Sequence, residues 1–237
     1  MKNTSREDEG TKKKNPDKKI YEGYMTVAVI FCIIVAMAFA AIYRSDHTGK
    51  LVYSQHLEET VLTVDGRELT LGDLAVYIEY EEQLVQQQAD VYDHDNPQAY
   101  WNVYLNNGGF LKLLAKDSVM DMAVHDEIFY QMAREEGVTL DEEEQEALAM
   151  TQEDFWLDLT EEGQQQLGVS RQQLDAQLEK KALAEKYQNI YAAMQSSDYD
   201  GYNTGERPYE KLLEQHSYQI DENLWERIVF GNITLPR

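Results

Sequence analysis

Residues 110–148 read FLKLLAKDSVMDMAVHDEIFYQMAREEGVTLDEEEQEAL. Leu111, Leu114, Ala115, Val119, Met122, Phe129, Met132 and Ala133 recur at three- and four-residue spacing, so one apolar stripe runs along a helix from about Phe110 to Glu136. Gly137 supplies the stop, because glycine accepts the left-handed turn that closes a helix. Seven of the fourteen residues from Glu135 to Leu148 are acidic, a density that invites comparison with a cation trap. Their order reads instead as helix punctuation. Thr139 and Glu142 have the spacing of a capping box, and Asp141, Glu142 and Glu143 fall in a first turn where the helix dipole favours negative charge. One long core helix followed at once by a capped second one predicts a mainly α protein.

Working outward, the same grammar recurs. Thr70 and Asp73 bracket a helix start, with Leu74, Ile78, Leu84 and Val85 as its apolar positions. Before it, residues 60–70 (TVLTVDGRELT) read as a strand, a tight turn at Asp65-Gly66 and a short return. Asn106 to Gly109 is a stop. Beyond Leu148 the second helix passes Phe155 and Trp156 and weakens near Gly163. Gly168 stops the chain again, Ser170 caps with Gln173 at the box position, and a last long helix runs from about Arg171 to Met194. Residues 195–207 have a linker's composition. The segment 208–237 reads as a short helix, a short strand, a helix capped by Asp221 and a terminal strand near Ile228 to Leu235. The juxtamembrane stretch 44–59 reads as a second linker.

The N-terminus differs from the rest. Met25 to Tyr43 is nineteen residues without a charge, about 28 Å as a helix, which matches the hydrocarbon core of a bilayer. Residues 1–24 hold seven basic and five acidic residues, net +2; subtracting them from 21 and 44 leaves 14 and 39, net −25, after the span. Charge asymmetry of this kind predicts a cytoplasmic basic tail at 1–24, a transmembrane signal anchor at 25–43 in the lipid bilayer, and an extracytoplasmic C-terminal domain. Ala38-Phe-Ala40 offers a cleavage site for the rival reading, a removed signal peptide, although the apolar run is longer than such a peptide needs. Cys32, the only cysteine, lies mid-span, so the remainder has no disulfide and must hold by packing. The net charge of −23 argues against a nucleic-acid partner, while 43% hydrophobic residues suffice for a core.

Four of these signals, in order, resemble the chaperone domain of SurA- and PrsA-type foldases. They are Val64-Asp-Gly-Arg-Glu-Leu-Thr70, the helix from Val119 through Ala133 to Gly137, Val138-Thr-Leu-Asp-Glu142, and Gly168-Val-Ser-Arg-Gln-Gln-Leu174. The resemblance spans residues 60–194. It implies a SurA N-terminal-like multi-helix chaperone domain with a few short strands from its two ends, the segment 208–237 returning to complete it. On that basis Tyr218 to Ile228 is a returning strand and helix, and Asn232 to Leu235 is expected near the strand at 61–65. The family's parvulin-type isomerase domain has no room in 195–207. The implied function is an ATP-independent holdase for unfolded or newly secreted polypeptides, without isomerase activity. A non-chaperone protein docking one specific envelope partner through the same fold is the alternative.

Sixteen tyrosines and three tryptophans supply apolar area with a polar tip, suited to varied polypeptide surfaces. Tyr77, Tyr80, Tyr100, Trp101, Tyr104, Phe155 and Trp156 are the client-binding candidates, with core packing as the competing use. Catalysis is not expected: His125 has Asp121 and Asp126 beside it but no nucleophile at a useful spacing. Asp93-His-Asp-Asn96 reads as a polar turn before Pro97, and Asp198 to Asn203 lacks the closing glutamate of a calcium loop. No cofactor and no metal site are expected.

Overall fold

The stripe predicted around Phe129 becomes the centre of the molecule in the computed structural model, which describes residues 49–105 and 109–235. The basic tail, the apolar span with Cys32 and the rival cleavage site all lie outside the described residues. From Lys50 onward the chain is one compact unit, mainly helical with a small antiparallel sheet.

A hairpin opens it. β1 (Thr60–Val64) pairs antiparallel with β2 (Arg67–Thr70) through a two-residue turn. Asp65 and Gly66 both have positive φ, +48° and +82°, the geometry that matches strand twist in a tight hairpin. The turn also fastens a distant segment. Asp65 Oδ1 accepts from the Ser217 N–H at 2.8 Å, and Oδ2 lies 2.6 Å from His216 Nδ1. That contact seats β3 (Tyr218–Ile220) antiparallel on β1, with Leu62 opposite Ile220 and Val64 opposite Tyr218. The strand partner of residues 61–65 is therefore 218–220. The expected pairing with 232–235 is not formed.

Seven helices follow among the described residues: α1 (Ala75–Tyr92), α2 (Leu111–Glu135), α3 (Glu142–Asp158), α4 (Glu161–Leu167), α5 (Arg171–Met194), α6 (Arg207–Leu213) and α7 (Glu222–Trp225). Several predicted caps hold. Thr70 and Asp73 bond reciprocally ahead of α1, Ser170 and Gln173 form a capping box on α5, and Asp221 Oδ1 accepts the Leu224 N–H of α7. The box on α3 sits two residues later than predicted. Asp141, not Thr139, is the cap: its carboxylate accepts from Glu144 N at 3.0 Å, and Glu144 Oε2 accepts from Asp141 N at 2.8 Å. A charged acceptor at the positive end of the helix dipole outcompetes a hydroxyl. The Thr139 carbonyl instead takes Lys186 Nζ.

α2 and α5 pack along one another and carry the core, with Val119, Ile128, Phe129, Leu174 and Tyr187 enclosed. α2 is buried around much of its circumference, so it encloses Asp126 and Glu127 as well as the stripe. Arg67 and Lys180 pair with Glu127, and Gln131 donates to it at 2.8 Å. Each segment read as a linker, the first of them from Lys50 onward, sends a tyrosine into this core. Tyr53 is buried and donates to the Leu71 carbonyl at 2.7 Å, while Leu51 bridges Ile228. Within 195–207 a turn at Tyr199–Tyr202 buries Tyr202, whose carbonyl lies 2.9 Å from His125 Nε2. The turn is also tied to α5, where Gln188 Nε2 donates to the Tyr199 carbonyl and to Asn203 Oδ1.

The last described residues form no strand. The N–H groups of Gly231, Asn232, Ile233 and Thr234 converge on the buried Glu82 carboxylate, with Gly231 at 2.6 Å and Thr234 at 2.7 Å, and the Thr234 hydroxyl adds a contact at 2.8 Å. Consecutive backbone donors make a nest for an anion, and here the anion belongs to the chain.

Candidate functional site

α3 has seventeen residues, none of them fully buried. It lies on α5 as an arm, fastened at its two ends. Near its start Lys186 Nζ of α5 reaches Glu144 Oε2 at 2.5 Å and the Thr139 carbonyl at 3.0 Å. Towards its end Gln152 Nε2 donates to the Asp175 carbonyl at 2.9 Å, and Arg171 pairs with Glu153. Between the fastenings the helices leave a groove of about 570 Å³, with Leu140, Ala147, Leu148, Leu178 and Ala182 as its apolar lining. Along α5 its lining runs from Leu178 to Asn189, about 16 Å at helical rise.

The charged groups of the walls and the Thr151 hydroxyl are already engaged. The Thr151 hydroxyl donates to the Ala147 carbonyl of its own helix at 3.1 Å. Lys181 lies 2.6 Å from Glu185 Oε1 and 3.6 Å from Asp126 Oδ2. Burial works against its charge, but the Asp126 and Glu185 carboxylates prevail and hold its pKa above the usual lysine value. Asp126 answers in kind: burial opposes its ionisation, and the His125 hydrogen bond and the Lys181 charge overcome that and keep its pKa below the usual carboxylate value. What the groove offers a ligand is apolar surface framed by fixed charges, an arrangement suited to reversible binding.

The residues singled out from the sequence separate into core and surface. Tyr77 and Trp101, 4% and 2% exposed, are packing residues. Burial and the Asp126 hydrogen bond raise the Tyr77 pKa, and the Trp101 ring lies beneath Gly231. Tyr80 and Tyr104 remain 55% and 62% exposed, and Tyr104 makes an edge contact with Phe110 at 5.3 Å. Tyr100 is half-buried, its ring 5.0 Å from Tyr92 and its hydroxyl donating to Gln88. Phe155 and Trp156 are half-buried on α3, past the groove towards α4, with Arg171 over the Trp156 ring. The candidates therefore make no single surface. The tyrosines mark the corner where α1 gives way to α2, and Phe155 continues the face of α3 that carries Glu144, Leu148 and Thr151.

His125 is held at both ring nitrogens, by Asp126 at 2.8 Å and by the Tyr202 carbonyl. Asp93 Oδ1 accepts from the Asp95 and Asn96 N–H groups, closing a turn before Pro97. Among the described residues no cluster of three or more His, Cys, Asp or Glu could hold a metal, and no helix is long and apolar enough to cross a membrane. The sequence reading missed the groove because Leu148, Leu178 and Ala182 serve equally as ordinary stripe residues. The available signal was the sparse apolar content of 142–154, too little to bury a helix fully. No family model, curated protein or solved structure matches the chain.

Proposed function

We propose that the protein is a membrane-anchored, extracytoplasmic holdase. It binds unfolded or newly secreted polypeptides without ATP and without isomerase chemistry, as the SurA- and PrsA-type foldases that its motifs resemble would imply. The observation that carries this reading is the open groove beneath α3, a helix with no fully buried residue. A partly apolar trough whose Leu140, Leu148 and Ala182 are only partly covered, on a strongly acidic molecule, can accept apolar side chains while charge keeps the complex dispersed. Anchorage through Met25 to Tyr43 would hold this groove at the membrane's outer face, where secreted chains emerge unfolded.

The test uses residues 50–237, which form one compact unit with its own core. Added to several chemically unfolded proteins upon dilution, this unit is expected to suppress light scattering at near-stoichiometric ratios with no nucleotide present. Leu148→Asp, which places a charge on the groove lining, is expected to abolish suppression while circular dichroism stays unchanged. Failure to protect any client, with stable capture of one defined envelope protein instead, would establish the single-partner alternative.

A further inference from the structure

The small sheet ends on an unguarded edge. In the order β2-β1-β3, β3 is paired on one side only. The Asp221 N–H donates to the Val61 carbonyl at 2.9 Å, and the Asp65 N–H to the Ser217 carbonyl at 2.8 Å. Antiparallel bonding alternates, so residues 217, 219 and 221 face β1 while Tyr218 and Ile220 turn their N–H and C=O groups outward. None of those four groups is hydrogen-bonded among the described residues. They repeat at about 6.8 Å, the two-residue spacing of an extended chain. Sheet edges are ordinarily blunted by charge, proline or a bulge. The opposite edge, β2, carries Arg67 and Glu68, whereas β3 is Tyr-Gln-Ile. A cavity adjoins this edge. Tyr218 and Ile220 sit opposite Val64 and Leu62, on the sheet face that packs on the core. Tyr218 is nonetheless 50% exposed, and with Val124 of α2 and Tyr209 and Leu213 of α6 it lines a space of about 120 Å³. Asp121 and Glu210 line it too, and neither carboxylate has a hydrogen bond or ion pair among the described residues. Burial, and then the charges of Asp117 and Glu210, raise the Asp121 pKa. Among the described residues no lysine or arginine lines the cavity to balance that charge.

We propose that β3 takes up an extended segment of an unfolded polypeptide as a fourth strand, with a lysine or arginine of that segment entering the cavity beside Tyr218. The main chain of such a segment complements the outward N–H and C=O groups of Tyr218 and Ile220. A residue paired antiparallel with Tyr218 turns its N–H to β3 and its side chain to the core face, so one residue makes both contacts. Asp121 and Glu210 supply the charge complementarity that selects a basic side chain there. The inference rests on the polypeptide-binding reading for the source of the segment. It adds a main-chain contact made by none of the groove residues.

The experiment titrates a fluorescent peptide, Ser-Val-Thr-Lys-Thr-Val-Ser, with residues 50–237. Alternation puts its Val and Lys residues on one face with their N–H groups towards β3, and its Thr residues on the other. N-methylation of the Lys amide is expected to weaken binding about tenfold, because it removes a main-chain bond and wedges the strands apart. N-methylation of a Thr amide is expected to change binding less than about twofold, since that amide bonds only to water. Glu in place of Lys should weaken binding severalfold at about 50 mM salt, and combined Asp121→Asn and Glu210→Gln should erase that difference. Equal losses from the two methylations would overturn the edge pairing, and equal binding of the Lys and Glu peptides would overturn the basic selectivity. Self-association of the unit that Tyr218→Pro disperses, with no peptide bound, would give the edge to a second copy instead. Aggregation suppression that Leu148→Asp abolishes, again with no peptide bound, would retain the polypeptide-holding reading and sink this one. Peptide binding with no suppression of aggregation would do the reverse.

Discussion

Glu79 is 5% exposed on α1, close enough to Asp158 and Glu82 to feel both charges. Burial, then those two carboxylates, push its pKa up to about 7. A raised carboxyl keeps its proton in the folded state at pH values where the unfolded chain has released it, so stability falls as pH rises from about 4.5 to about 7 and is level above. Up to about 3 kcal/mol attaches to that window, taking about 1.4 kcal/mol for each unit. Urea midpoints at pH 5 and pH 8 are expected to show greater stability at pH 5, and Glu79→Gln should remove much of the difference by stabilising the protein at pH 8. Burial also raises Glu81, which contributes in the same direction. None of this is legible in the one-letter string, where Glu79, Glu81 and Glu82 look like the solvated face of an acidic helix.

At the scale of elements, α3 is the least committed part of the fold. Its capping box is local and strong, yet it contributes no fully buried residue, and its hold on α5 depends on a few side chains at its two ends. Lys186→Met combined with Gln152→Ala removes a fastening from each end. The expected result is severalfold faster amide exchange across residues 145–156, with global stability altered by less than about 1 kcal/mol. An equal slowing or quickening across α2 and α5 would show that α3 unfolds only with the whole. This element also shows where sequence reading works. The caps at Ser170 and Asp221 were legible because each is a hydrogen bond between residues three apart. The shift from Thr139 to Asp141 arose because two acceptors compete for one helix start, and spacing does not rank them.

For the whole molecule, closure depends on the clasp between Glu82 and residues 231–234, which joins positions about 150 apart. Glu82→Gln would turn an amide NH₂ towards N–H donors and leave at least one of them unpaired in a buried site. A loss of about 2–4 kcal/mol in urea unfolding is expected, with the amides of 231–234 exchanging first. The neighbouring fit is equally close. A Cβ on Gly231, where φ is +96°, would meet the Trp101 ring at 2.9 Å, and one on Gly163 would meet the Thr234 carbonyl at 2.7 Å. What the sequence determined by itself is local: the hairpin at Asp65-Gly66, the helix lengths and most of their caps follow from side-chain shape and i,i+3 hydrogen bonding. Which aromatic residues are core, whether 195–207 is a linker, where the C-terminal segment lies and where a groove stays open were decided only by tertiary structure. Each depends on a partner far along the chain, as Trp101 depends on Gly231, and a local pattern carries no record of that partner.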